Sequence, residues 1–177
     1  PIVQAVSADP AATPVTLQTF TLPGTSTVDV FAQNLQTHNT YSVNFIVSET
    51  YELELKTFLE GPFNGTEMNN ILNLTGLIPV DQPYNISPWN YIGEETLSGI
   101  PNANMVDWVL VELRDAADAT FASAATAISR QAGLVLNDGS IVGMDGFSNL
   151  QFNSSINQQL YIVVWHRNHL GILSRYT

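Results

Sequence analysis

The sequence predicts an all-β fold, an antiparallel β-sandwich with one long ordered Pro/Gly-rich excursion at about residues 60–104. Three observations predict it. Short runs rich in Val, Thr, Phe and Tyr are separated by turn residues. Several runs alternate apolar and polar residues with period two. Proline and glycine are concentrated in one mid-chain stretch. A chain of 177 residues fits one core, so a single domain over 1–177 is expected. Residues 1–50 are alternatively the last strands of a preceding module.

The first strands expected are Val15–Leu22 and Thr27–Ala32, punctuated by Pro23-Gly24 and the polar stretch Asn34 to Asn39. Tyr41–Glu49 places Val43, Phe45 and Val47 on one face, and Glu52–Leu59 places Leu53, Leu55 and Thr57 opposite Glu52, Glu54 and Lys56. Both read as half-buried antiparallel strands. In the excursion Pro62, Pro79, Pro83, Pro88 and Pro101 exclude long regular elements. Its Phe63, Met68, Ile71, Leu72, Ile78, Tyr84 and Trp89 are too apolar for a disordered linker, so it is expected to pack on the sandwich. A short helix is expected over Thr66–Asn73, capped by Thr66.

Strands resume at Met105–Arg114, Ala125–Leu136, Ser140–Met144, Asn149–Phe152, Leu160–Arg167 and Leu170–Ser174. Met105–Arg114 has apolar centres on both faces, the pattern of a central strand covered on each side. Asn137-Asp138-Gly139 between apolar runs is a hairpin signal, because these residues tolerate the positive φ of a tight turn. Ala116–Thr126 is helical by alanine propensity, with loop or strand left open by its short polar residues.

The formal charge of −11 repels a phosphate backbone, which argues against nucleic acid and anionic membrane as partners. With 12% charged residues the polar surface must come from Ser, Thr, Asn and Gln, as in many extracellular β-proteins. No cysteine is present, so disulfides, thiolate nucleophiles and Cys-ligated metals are excluded. No stretch approaches the roughly 18 apolar residues that span a bilayer. The start at Pro1 and the stop just after an apolar run read as an excised piece of a longer chain.

Several groups carry candidate chemistry. His166 and His169 are three apart; in a continuous strand such a pair points to opposite faces, so one metal takes both only if a turn intervenes. They read as structural residues in the turn between the last two strands, with Arg167 pairing an acid of a neighbouring strand. Asp107 and Glu112 fall on opposite faces of their strand, a poor arrangement for two carboxylates that must converge at roughly 5–10 Å. Asp138 and Asp145 are weak calcium candidates, calcium being the one ion the sequence suggests; Asp-Gly is first of all a turn dipeptide. Trp89, Tyr91 and Tyr84 could stack on sugar rings, which requires them to be exposed and coplanar, or they could anchor the excursion to the core. G-x-S-x-G, H-E-x-x-H and phosphate-binding glycine loops are absent.

One ordered set of motifs carries a resemblance. Leu59-Glu60-Gly61-Pro62-Phe63, Gly76-Leu77-Ile78-Pro79, Gln82-Pro83-Tyr84-Asn85 and Pro88-Trp89-Asn90-Tyr91 are followed by Val106-Asp107-Trp108-Val109-Leu110-Val111-Glu112-Leu113-Arg114-Asp115. Leu136-Asn137-Asp138-Gly139-Ser140 and Trp165-His166-Arg167-Asn168-His169-Leu170-Gly171 complete it. From about Leu53 to Ser174 the chain resembles an uncharacterised module of large secreted proteins from Bacteroidetes, which sits ahead of dockerin-like repeats or a type IX secretion sorting domain. The resemblance implies a secreted or surface-displayed location and partners among the other modules of one polypeptide or the surface and secretion proteins. It implies no reaction and no catalytic residue.

The expected function is therefore that of a non-catalytic structural or adhesive module of a bacterial surface protein. A carbohydrate-binding module using the excursion's aromatics is the alternative. A hydrolase built on Asp107, Glu112 or His166 comes third and requires a cleft with perturbed titratable groups.

Overall fold

The computed structural model describes residues 1–47 and 49–175. The chain divides into two compact units, Pro1–Ser48 and Glu49–Thr177, a division beside the boundary near residue 50 weighed above.

The first unit is a three-stranded antiparallel sheet in the order β1 (Thr13–Leu17), β2 (Gly24–Phe31), β3 (His38–Phe45). The turn between β2 and β3 is set by Asn34, whose Oδ1 accepts from the backbone N–H of Gln36 and Thr37. On β2 Ser26 and Val28 are buried. The half-buried face expected for Tyr41–Glu49 is not formed: β3 is exposed along nearly its whole length, Tyr41 at 58% and Val43 at 39%. Period two assigns Val43 and Tyr41 to faces, but burial needs a second layer.

The second unit carries the main core. Its six-stranded antiparallel sheet runs in the order β11-β10-β6-β7-β8-β5, formed by β5 (Leu55–Lys56), β6 (Met105–Ala116), β7 (Ala127–Leu136), β8 (Ser140–Val142), β10 (Gln159–His166) and β11 (His169–Leu173). A separate two-stranded sheet pairs β4 (Glu49–Leu53) with β9 (Leu150–Ser154). The fold is thus all-β, antiparallel and sandwich-like.

β6 sits at the centre, paired with β10 and β7. On one of its faces Val109, Val111 and Leu113 pack with Val135, Ile141 and Ile162 and are covered by Leu150 and Phe152 of β9 and by Leu59 and Met68. On the other, Trp108 and Leu110 pack with Ala132, Leu134 and Val142 and are covered by Ile78, Tyr84 and Leu97 of the excursion. The strand is apolar on both sides because both sides are roofed, one by strands and one by irregular chain. At about 25 cal/mol per Å² of apolar surface, these two layers are the main stabilising contribution of the unit.

The excursion is ordered by its own polar bonds. Gln82 Nε2 donates to the Gly93 carbonyl while its Oε1 accepts from Tyr84 N–H, and Trp108 Nε1 donates to the Pro79 carbonyl. Two expectations are corrected. The helix expected at Thr66–Asn73 shrinks to α1 (Ile71–Leu74): Asn64 Oδ1 takes the N–H groups of Thr66 and Glu67, holding them in a turn instead of a helix start. The single strand expected over Glu52–Leu59 breaks at Glu54 into β4 and β5, which join different sheets, pairing β9 and β8 respectively. Ala116–Thr126 resolves into loop and one 3₁₀ turn, Ala124–Thr126, closed by a Ser123–Thr126 capping box.

Candidate functional site

Two buried charge clusters hang from β6, one at each end. At the far end Glu112 lies between two arginines: Arg114 Nε and Nη2 reach its Oε1 at 2.7 and 2.6 Å, and Arg130 Nε, from the neighbouring β7, donates to Oε2 at 2.5 Å. The arginines continue outward. Arg114 Nη1 donates to the Ala122 carbonyl and its guanidinium lies 5.9 Å from the Trp165 ring; Arg130 Nη1 donates to the Trp89 carbonyl. Glu112 thereby ties a loop and the excursion to the sheet.

At the near end Asp107 is 2% exposed and accepts from Arg167 Nη2 at 2.8 and 2.9 Å, from His166 Nε2 at 3.2 Å and from Trp108 N–H at 2.8 Å. Burial pushes its carboxyl up. Hydrogen bonds from His166, Arg167 and the Trp108 amide, with the charge of Arg167, more than offset this and hold it below the ordinary value of 3.8. The expected pairing of Arg167 with an acid of a neighbouring strand is this contact.

β10 ends at His166 and β11 begins at His169, with two residues between them, so the two histidines are a cross-strand pair. Their Nδ1 atoms lie 2.8 Å apart and their rings meet edge to face at 4.7 Å. The opposite-face rule for residues three apart holds along one strand and fails across a two-residue turn. The signal was present in the sequence: Leu160–Trp165 and Leu170–Ser174 flank a short polar stretch that reads as a hairpin.

The surrounding donors assign the tautomers. Asn168 backbone N–H donates to His166 Nδ1 at 3.2 Å, so that nitrogen is an acceptor and the ring's proton is on Nε2, donated to Asp107. His169 must then donate its Nδ1–H to His166, which leaves its Nε2 as an acceptor. Among the described residues nothing hydrogen-bonds His169 Nε2, which lies 3.9 Å from where a Cβ on Gly61 would stand. Burial, then the neighbouring His166, lowers the His169 pKa below 6.5, with Glu60 and Asp107 opposing. The result is a neutral base backed by a chain from His169 through His166 to Asp107.

This chain forms one end of a cleft of about 360 Å³. Leu59, Gly61, Pro62, Ile71, Leu72 and Val106 line the rest of it together with Asn69 and Asn168. Asp107, His166 and Gly61 are far apart in sequence and meet because β6 pairs with β10 while the chain after β5 folds back over them.

The aromatic candidates do not form a sugar platform. Tyr84 is fully buried, its hydroxyl donating to the Trp108 carbonyl at 2.8 Å, and burial raises its pKa. It is corrected from candidate ligand residue to core residue. Trp89 is half-buried and stands at 88° to Tyr84, edge to face rather than coplanar. Tyr91 is half-buried against the same core and donates its hydroxyl to Glu95 Oε1 at 2.5 Å; burial, then that carboxylate, raises its pKa.

The weak calcium candidates close their own turns. Asp138 accepts from Ser140 N–H and Oγ at 3.0 Å each, and Asp145 Oδ1 accepts from Phe147 and Ser148 N–H while its Oδ2 accepts from Ser148 Oγ. Those bonds, the Ser140 amide for Asp138 and the Ser148 hydroxyl for Asp145 foremost, lower both carboxyls below the ordinary value. Among the described residues no group of three or more His, Asp or Glu side chains is placed to hold a metal ion.

The chain matches no protein-family model, no curated protein and no solved structure.

Proposed function

We propose that the chain is a non-catalytic structural or adhesive module of a secreted bacterial cell-surface polypeptide. The observation that carries this reading is the use made of its polar and aromatic groups. Glu112, Arg114 and Arg130 brace two loops to the sheet, and the Tyr84 hydroxyl fastens the excursion to the central strand. Such cross-braces serve a unit whose task is to hold its shape within a larger assembly. The perpendicular rings of Tyr84 and Trp89 favour this reading over a carbohydrate-binding one.

Two measurements test it. Antibody raised against the chain should label intact, unpermeabilised cells of the producing bacterium or their medium; labelling only after lysis would sink the surface assignment. On a glycan array with calcium present, the reading expects silence from the folded protein. Binding that is lost in a folded Trp89→Ala variant would replace it with the carbohydrate-binding reading.

A further inference from the structure

We propose that the cleft beside the His166–His169 pair binds a small neutral molecule with an apolar body and a hydroxyl head, an alcohol or phenol whose O–H donates to His169 Nε2. The cleft of about 360 Å³ is of the size that holds small ligands, for which about 300–1,000 Å³ is usual. Its composition is that of a binding site: mostly apolar walls with the histidine pair, Asp107 and Asn168 at one end, and Asn69 in the wall with its amide already spent on the Pro62 carbonyl and the Ile71 N–H. Leu59 and Val106 form buried wall, and Ile71, at 57% exposed, lies at the opening.

The polar end selects the chemistry. The donors along the chain, Asn168 N–H to His166, His166 to Asp107 and His169 Nδ1–H to His166, leave His169 Nε2 as the one histidine nitrogen lining the cleft that is open to a ligand, an acceptor. The exposed Asn168 side-chain amide beside it can complement a hydroxyl oxygen, and the unpartnered Arg167 Nε does not line the cleft. An acceptor calls for a donor on the ligand. A carboxylate at neutral pH offers none, and the lone pair would repel it. An ammonium would lose its hydration against Leu59, Ile71, Leu72 and Val106, while the only carboxylate in the wall, Asp107, is already paired by Arg167. A neutral hydroxyl satisfies the acceptor without stranding a charge.

His166 and Asp107 are positioning residues here. His166 Nδ1 accepts the hydrogen bond from His169 Nδ1–H while Asp107 holds His166 through its Nε2–H, which fixes the tautomer and leaves His169 Nε2 as the acceptor. The cleft would serve such a ligand whether or not the chain is displayed on a cell surface.

The test is a two-dimensional NMR titration of the full chain with 4-methylphenol and, separately, with its methyl ether, which has the same body but no O–H. The expected result is saturable shifts at Gly61, Leu72, Asn168 and the His169 ring. The phenol should bind roughly threefold to tenfold more tightly than the ether, the worth of one neutral hydrogen bond. In His169→Phe, which keeps a ring against the cleft and removes the acceptor, that preference should vanish. In Gly61→Leu, whose side chain fills the cleft, both probes should fail to bind. Absence of saturable shifts in the wild type, equal affinity for the two probes, or undiminished binding in a folded Gly61→Leu variant would each overturn the proposal. If Gly61→Leu does not fold, the loss of preference in His169→Phe decides it.

Discussion

His166 and His169, three positions apart in sequence, face each other across the β10–β11 turn with their Nδ1 atoms 2.8 Å apart. The contact joins a half-exposed histidine to a buried carboxylate through a second ring, and it gives the second unit a pH-sensitive point.

Stability should fall on acidification through the histidine range. Because the folded pKa of His169 is lowered, below pH 6.5 the unfolded chain binds a proton at His169 that the folded chain does not, so unfolding is favoured. The contribution is complete above 6.5 and is lost as pH falls toward the folded value. His166 lowers that value and Glu60 and Asp107 raise it. Urea titrations at pH 7.5 and 5.0 should show a smaller pH-dependent loss in His169→Gln than in the wild type; equal losses would contradict the assignment.

A second loss is expected in stronger acid. The folded pKa of Asp107 is depressed, so its contribution is present above 3.8 and disappears as pH falls through the lower folded value. Wild-type protein followed by circular dichroism from pH 5 to 2 should lose stability in that window, and Asp107→Asn, already weakened at pH 7, should lose less. Parallel curves would count against it.

Breaking the Glu112 cluster should be costly. Glu112→Gln leaves Arg114, which is nearly buried, without its counter-charge, and removal of one partner of such a pair costs about 3–5 kcal/mol. Lys56→Ala breaks a pair 3.9 Å long with both side chains more than half exposed, which is worth about 0–1 kcal/mol. Urea midpoints of the two variants at unchanged slope should separate clearly; similar midpoints would mean that Glu112 is not a brace.

Tyr84→Phe should destabilise the second unit by about 1 kcal/mol by removing the donor to the Trp108 carbonyl. Tyr84→Ala, which also empties a fully buried site, should cost about 3–5 kcal/mol. Hydrogen exchange should quicken first at Gln82 and Tyr91, the amides that Tyr84's segment organises. Uniform quickening across the sheet would argue that the excursion is not fastened at this point.

Gly139 should resist substitution more than Gly65. Both have positive φ, but a Cβ at Gly139 would stand 2.9 Å from the Thr57 carbonyl oxygen, whereas one at Gly65 meets nothing within 4 Å. Gly65→Ala carries only the left-handed strain of about 1 kcal/mol, and Gly139→Ala adds a clash with backbone. Thermal melts of the two variants should rank in that order.

The amino-acid sequence by itself determined the class of the fold and its central strand. Val109, Val111 and Leu113 alternate with Trp108 and Leu110, so β6 had to be covered on both faces, and Asn137-Asp138-Gly139 had to turn, because pattern and turn chemistry are local properties. It also marked the excursion as ordered, through apolar residues of which Met68, Ile78 and Tyr84 are buried while Ile71 and Leu77 stay more than half exposed. Only the tertiary structure decided which residues those faces meet. Period two says that Val43 and Val47 share a side of the first unit's chain; it does not say whether another layer lies there, and both remain partly exposed. The split of Glu52–Leu59 between two sheets, the burial of Tyr84 beneath its own loop and the cleft that unites Gly61 with His169 follow from strand pairings between residues far apart in sequence. The cost of closing those loops and the gain from packing them belong to the whole chain, and no window of neighbouring residues contains them.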